Sequence, residues 1–291
     1  MARKSISEIL SPPPAHMVGD GFRVHNFFPA NKRTGLIKVS PFILMDYNAP
    51  YHFPPTDKPR GVGVHPHRGF ETVTLAYQGS VAHHDSKGNS GVIEAGGVQW
   101  MTAAAGILHK EYHEENFAKQ GGTFQMVQLW VNLPSRYKMS EPKYQGFTQS
   151  QLNTFALENE AGFVDLIAGE LGSHVGPAST FSPMVLANIH LQAGAQYTLQ
   201  TKAHHNTCLL QIKGGSQIDG SSLPTHHLAI FNRDGEEIEI EALEDSTLLL
   251  LSGEPIDEPM VAQGPFVMNT QEEIMQAFTD FENGAFGSLS N

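Results

Sequence analysis

The sequence predicts an all-β protein of two tandem barrels with one helix at its C-terminal end. Three observations carry that reading. Short runs of β-branched and aromatic residues recur along the chain and are punctuated by turn formers. There are 28 Gly and 18 Pro in 291 residues, which suits tight turns better than long helices. The two halves also match in length and strand density, and 291 residues suffice for two domains.

Residues 1–60 read as an arm with one or two early strands. Ser11 to Pro14 is stiff and extended, and Gly35 to Met45 is an apolar strand interrupted at Pro41. From Gly61 the chain becomes a meander. Thr72 to Tyr77 alternates, Asp85 to Gly91 is a hairpin-type turn, and Phe124 to Val131 is a strong strand. Asn132 to Pro142 breaks the pattern. Further strands are expected at Gly162–Ile167, Val185–Leu191, Ala195–Leu199, Thr207–Ile212, His227–Phe231, Glu237–Ile240 and Ser246–Leu251. Thr270 to Glu273 is a capping box. Ile274, Ala277, Phe278 and Phe281 then form one apolar stripe before Gly284, giving a helix at about 270–283. The expected organisation is a first barrel over 1–133, a linker over 134–145, a second barrel over 146–266, and a helix and tail over 267–291.

The formal net charge of −12 disfavours direct nucleic-acid binding, which needs a basic footprint. No apolar run reaches the length of a signal peptide core or a membrane span. Cys208 is the single cysteine, so no internal disulfide can form, and its apolar surroundings make it a core residue. A cytoplasmic protein is expected.

Two short motifs carry the chemistry. His65-Pro66-His67 and His109-Lys110-Glu111 each set ligand-type side chains at i and i+2, one face of a strand. Adjacent strands would aim three imidazoles and a carboxylate at one point. That set suits a divalent first-row metal and leaves positions open. Glu71, four residues after His67, is an alternative carboxylate ligand or a partner for a ligand histidine, and the plain alternative is a surface glutamate. His83 and His84 adjoin a turn and read as solvated. His113 shares the parity of Glu111 and could line the mouth of the pocket, with a surface position the default. Trp100, Met101, Phe124 and Met126 could line a pocket, with core packing the default, and Glu114-Glu115 reads as a solvated acidic pair. The second half offers only the neighbours His204 and His205, which a strand would point to opposite faces, so metal is expected in the first barrel alone. No nucleophile elbow, phosphate loop or dinucleotide fingerprint is present.

His65 to Thr72, Gln99 to Thr102, Gly106 to His109, Leu129 to Leu133 and Gly264 to Thr270 closely resemble the pirin family of the cupin superfamily. The resemblance runs from about Val24 to Phe281. It implies tandem cupin (double-stranded β-helix) barrels and one mononuclear metal, usually iron, on His65, His67, His109 and Glu111. It thereby favours Glu111 over Glu71. Imidazole and carboxylate also accept Mn, Co, Ni, Cu or Zn. Some pirins resemble quercetinases, which cleave a flavonol ring with dioxygen. Others resemble regulatory proteins that act on a transcription factor or a metabolic enzyme. The expected activity is therefore a quercetinase-type dioxygenase acting on a flavonol or related enol-bearing aromatic. Glu111 would serve as ligand and possible general base, and a metal-dependent regulatory protein is the rival reading.

Overall fold

The computed structural model describes residues 2–28 and 38–290. Gly35 to Ile37, the start of one expected strand, fall outside the described residues, and the strand there runs Phe42–Phe53. By spatial contact the chain forms two compact units. One comprises Ser150–Pro255, the N-terminal segment up to Pro13 and, among the described residues, Phe27, Phe28 and 38–41. The other comprises Phe42–Gln149, Pro14–Asn26 and the chain from Ile256 on. This interleaved division differs from the linear one expected from the sequence. Ile6–Leu10 is a strand that pairs with Leu228–Phe231. The linker expected at 134–145 instead holds a one-turn helix, Ser135–Tyr137, and the start of strand Lys143–Phe147, which pairs with Val98–Thr102.

The unit that carries both histidine motifs contains a seven-stranded and a four-stranded antiparallel sheet. In the larger sheet the order is Lys143–Phe147, Val98–Thr102, Phe70–Gln78, Gly122–Asn132, Phe42–Phe53, Phe22–Phe28, His16–Val18. The smaller sheet runs Gly61–His67, Ile107–His113, Val81–Asp85, Ser90–Ile93. Period-two alternation decides which side chains face inward. Thr72, Thr74 and Ala76 share one face of their strand, and Glu71, Val73 and Leu75 share the other.

The second unit repeats the seven-plus-four plan. All seven strands expected in it are present within one or two residues of their expected ends, for example Met184–Leu191 and Ser246–Gly253. Its interior is filled by hydrocarbon, including Val164, Ile189, Leu199, Leu209, Ile238 and Leu250.

The C-terminal helix spans Gln271–Glu282. The Thr270 side chain accepts from the Glu273 amide, and the Glu273 carboxylate accepts from the Thr270 amide, as the capping box requires. Ile274 and Ala277 are buried against Leu108, Phe266 and Met268. Phe281, expected on the buried stripe, is partly exposed. A second short helix, Glu115–Gln120, was not expected. Glu114, read as half of a solvated acidic pair, caps it by accepting from the Asn116 and Phe117 amides. Among the described residues no helix is long and apolar enough to cross a membrane.

Candidate metal centre

His65 and His67 end the strand Gly61–His67, and His109 and Glu111 lie on its antiparallel neighbour. His109 pairs directly with His65, and Ile107 with His67. The register shifts between His109 and Glu111, so Glu111 stands opposite Val62. The extra residue lies on the His65 strand, so Glu111 keeps the parity of His109 while its pairing with that strand shifts.

The three imidazoles converge. Ring centroids of His65 and His109 are 4.2 Å apart, and those of His67 lie 4.8 Å from each of the other two. One ligand atom from each histidine falls within 4.8 Å of the others. His65 Nδ1 meets the Gly63 carbonyl at 2.8 Å, which fixes the proton there and leaves Nε2 as an acceptor. His67 Nδ1 and both ring nitrogens of His109 are buried without a hydrogen-bond partner. Orphaned buried nitrogens of this kind are costly unless something else binds them. Burial, and then the neighbouring histidines, hold the His67 and His109 pKa values well below 6.5. Both are therefore neutral, the form that donates to a metal. This donor set fits a divalent cation.

Glu111 stands outside that convergent group. Its carboxylate accepts from Gln128 Nε2 at 2.9 and 3.2 Å and from Thr74 Oγ1 at 3.4 Å. Burial raises its pKa, and the Gln128 bond, the nearby His65 ring and the Thr74 bond oppose the rise. Gln128 and Thr74 are cross-strand partners on the larger sheet.

A cavity of about 330 Å³ opens beside these groups. Its polar wall is His65, His67, Glu111, Gln128 and Asp46, and its apolar wall includes Val24, Val62, Met126 and Trp130. The size lies near the lower end of the roughly 300–1,000 Å³ of small-molecule sites. Trp130 stacks on Phe70 at 4.2 Å and meets the His67 ring edge-on at 5.3 Å, so it stiffens the ligand histidine.

Glu71 is not part of this site. The strand of His67 ends there, and Phe70 begins a new strand after Gly69, whose φ is +86°. The expected shared parity is lost across that turn. Glu71 faces the side opposite Thr74 and hydrogen-bonds Thr102 at 2.7 Å. His83 is not solvated either. It is buried, stacks on Tyr144 with rings 5.2 Å apart, and neighbours Glu111 across the sheet. Its pKa is pushed down to about 4, chiefly by burial. His84 is half-buried and bonds the Tyr112 hydroxyl at 2.9 Å. His113, read as a surface residue, is fully buried among Phe22, Phe53, Phe117 and Phe124, and its Nε2 meets the Gly21 carbonyl. Met126, expected as core or pocket lining, is both: it is buried and lines the cavity. Cys208 is a buried core thiol, its pKa raised to about 12 by burial.

Gln128, Thr74, Trp130 and Asp46 were missed from the sequence. A signal for two of them existed: Met126, Gln128 and Trp130 stand at i, i+2 and i+4 of one strand, and a lone glutamine on that apolar face marks a site.

The pirin family model matches residues 21–131, and the pirin C-terminal cupin domain model matches residues 186–287. The chain belongs to the pirin family. Its two units are thus the tandem cupin domains of a pirin. A Pseudomonas aeruginosa protein, named as a candidate quercetin 2,3-dioxygenase, is 49% identical over 271 residues, covering 93% of this chain and 94% of its own. Pirin-1 of Arabidopsis thaliana is 40% identical over 231 residues, covering 77% of each chain. A crystal structure described as quercetin 2,3-dioxygenase from Acinetobacter baumannii superposes with a TM-score of 0.94. It is 46% identical and covers 99% of this chain and 100% of that one.

Proposed function

We propose that this pirin is a cytoplasmic, metal-dependent dioxygenase that cleaves a flavonol or a related enol-bearing aromatic with dioxygen. The observation that carries the reading is the pairing of three convergent imidazoles with a mostly apolar cavity. The names of the relatives from P. aeruginosa and A. baumannii point the same way.

His65, His67 and His109 would hold the metal, with Glu111 as the fourth ligand. When bound, a divalent ion, iron(II) foremost, supplies Lewis acidity toward the enol oxygen and redox capacity toward dioxygen. The chain's own residues do the rest. Trp130, Met126 and Val24 enclose a flat aromatic and exclude water. Glu111 can accept the enol proton on a carboxylate oxygen. Its raised pKa brings it nearer the working pH, where a general base is most effective. Gln128 and Thr74 hold that carboxylate while it waits.

Metal analysis of the purified protein, coupled to oxygen uptake with quercetin, tests the reading. Wild type should carry metal and consume oxygen. Glu111→Gln should weaken metal binding and depress turnover together. Fully metallated protein that consumes no oxygen with any flavonol, yet binds a protein partner only when metallated, would replace the enzyme with the regulatory role.

A further inference from the structure

One acidic side chain in the cavity has no part in holding the metal. Asp46 lies on the strand Phe42–Phe53 and lines the same cavity as His65, His67 and Glu111. It pairs directly with Gln128 across the sheet. Paired residues share a face, so Asp46, Gln128 and Thr74 form one inward row. Glu111 sits over Gln128 and Thr74. Asp46 is on the far side of Gln128, about 4.8 Å farther along the row, the spacing of neighbouring strands.

The Asp46 carboxyl is oriented. Asn26 Nδ2, from the neighbouring strand Phe22–Phe28, donates to its Oδ1 at 2.6 Å. The nearby cavity wall is largely hydrocarbon, with Val24 and Met126 on flanking strands, and His16 lies close enough to act on the carboxyl. A carboxyl group in such a wall is costly for the apo protein. That cost is recovered when a ligand brings a matching donor. Binding cavities commonly set a few polar groups in apolar walls for this purpose.

We infer that Asp46, held by Asn26, accepts a hydrogen bond from a ring hydroxyl of the substrate that is remote from its enol group. This rests on the flavonol reading and narrows it. The favoured substrate carries a phenolic hydroxyl on a second ring position, and a bare flavonol lacks the contact.

Two ligands separate the possibilities: quercetin, rich in hydroxyls, and 3-hydroxyflavone, which keeps the enol and carries no other hydroxyl. Binding to the metallated protein is followed by fluorescence quenching, and KM and kcat by oxygen uptake. Wild type should bind quercetin at least about tenfold more tightly than 3-hydroxyflavone, the scale of a hydrogen bond to a charged group. Asp46→Leu should cut that preference by about tenfold, through KM more than kcat. Asp46→Asn, nearly isosteric, should retain part of it. Asn26→Leu, which leaves the carboxyl in place but unheld, should lie between. A wild type without the preference would overturn the inference, as would an undiminished preference in Asp46→Asn and Asn26→Leu proteins that melt like wild type. A wild type that binds neither ligand rejects the flavonol reading itself, and the anchor with it.

Discussion

Glu71 offers a measurable consequence of having left the site. It is fully buried, one oxygen accepting from Thr102 and the other without a partner. The Trp100 indole leans toward the carboxyl and pulls its pKa down in part, without meeting hydrogen-bond geometry. Burial dominates and raises the pKa from 4.5 to about 7. Below pH 4.5 the carboxyl is protonated in both folded and unfolded chains. Between 4.5 and about 7 the unfolded chain has released its proton and the folded chain has not, so stability falls as pH rises. Above about 7 the loss is complete. At 1.36 kcal/mol per pH unit the whole displacement is worth about 3 kcal/mol. Glu71→Gln keeps the acceptor for Thr102 and cannot titrate. Urea unfolding of both proteins at pH 5 and pH 8 should show the variant gaining roughly 2–3 kcal/mol on wild type at the higher pH. The comparison is between proteins because buried His83 and His205, each with a pKa pushed down to about 4, slope the other way and cancel. An equal stability difference at both pH values would refute the buried, proton-holding Glu71.

Three other outcomes follow from the same geometry. Gln128→Leu removes the donor that holds Glu111, and chelator competition should show metal affinity reduced about tenfold or more, the scale of losing such an outer partner; wild-type affinity would dismiss that clamp. His65→Ala/His109→Ala should take metal content from one ion per chain to near none by elemental analysis, and undiminished binding or two ions per wild-type chain would sink the proposed site. Lys138→Met strands three buried acceptors, the carbonyls of Gly69 and Val267 and the Asn132 side chain, now 2.6–2.9 Å from the ammonium. Chemical denaturation should register a loss of about 3 kcal/mol or more, and a change under 1 kcal/mol would show that the cross-link is not structural.

Local patterns made much of this fold legible. The strands of the second unit and the capped helix announce themselves through alternation, turn residues and the Thr270–Glu273 box. The motif histidines were legible because i and i+2 on a strand need no tertiary knowledge. What failed needed the third dimension. The parity argument for Glu71 assumed an unbroken strand, and one positive-φ glycine, Gly69, ended it. His83 and His113 adjoin polar residues in sequence, yet the sheets turn them inward, against Tyr144 and into an aromatic box. Gln128 matters only because two strands far apart in sequence bring it to Glu111. Pairing of Ile6–Leu10 with Leu228–Phe231 spans more than two hundred residues, which no local pattern encodes.

The same sheet plan appears twice, and what fills each interior separates the two units. Among the described residues, eighteen buried apolar side chains of the second unit form one cluster, whereas those of the site unit include separate clusters of eight, six and three. Each buried aliphatic or aromatic side chain is worth about 1.5–3 kcal/mol. The row of His65, His109, Glu111, Gln128, Thr74 and Asp46 adds nothing of that kind at its own positions. Cross-links behind the ligand strand also hold the site unit together. Arg68, next to His67, donates to the Ala105 carbonyl and to Asp280 of the C-terminal helix, each at 2.7 Å. Its guanidinium also covers the Phe286 ring at 4.6 Å. Its backbone exchanges hydrogen bonds with the Pro265–Val267 segment. These contacts anchor the residue that follows a ligand histidine to the helix and to the Gly264–Pro265 rim of the cavity. The helix is thereby tied to the strand end that carries His67, whose ring lines the cavity.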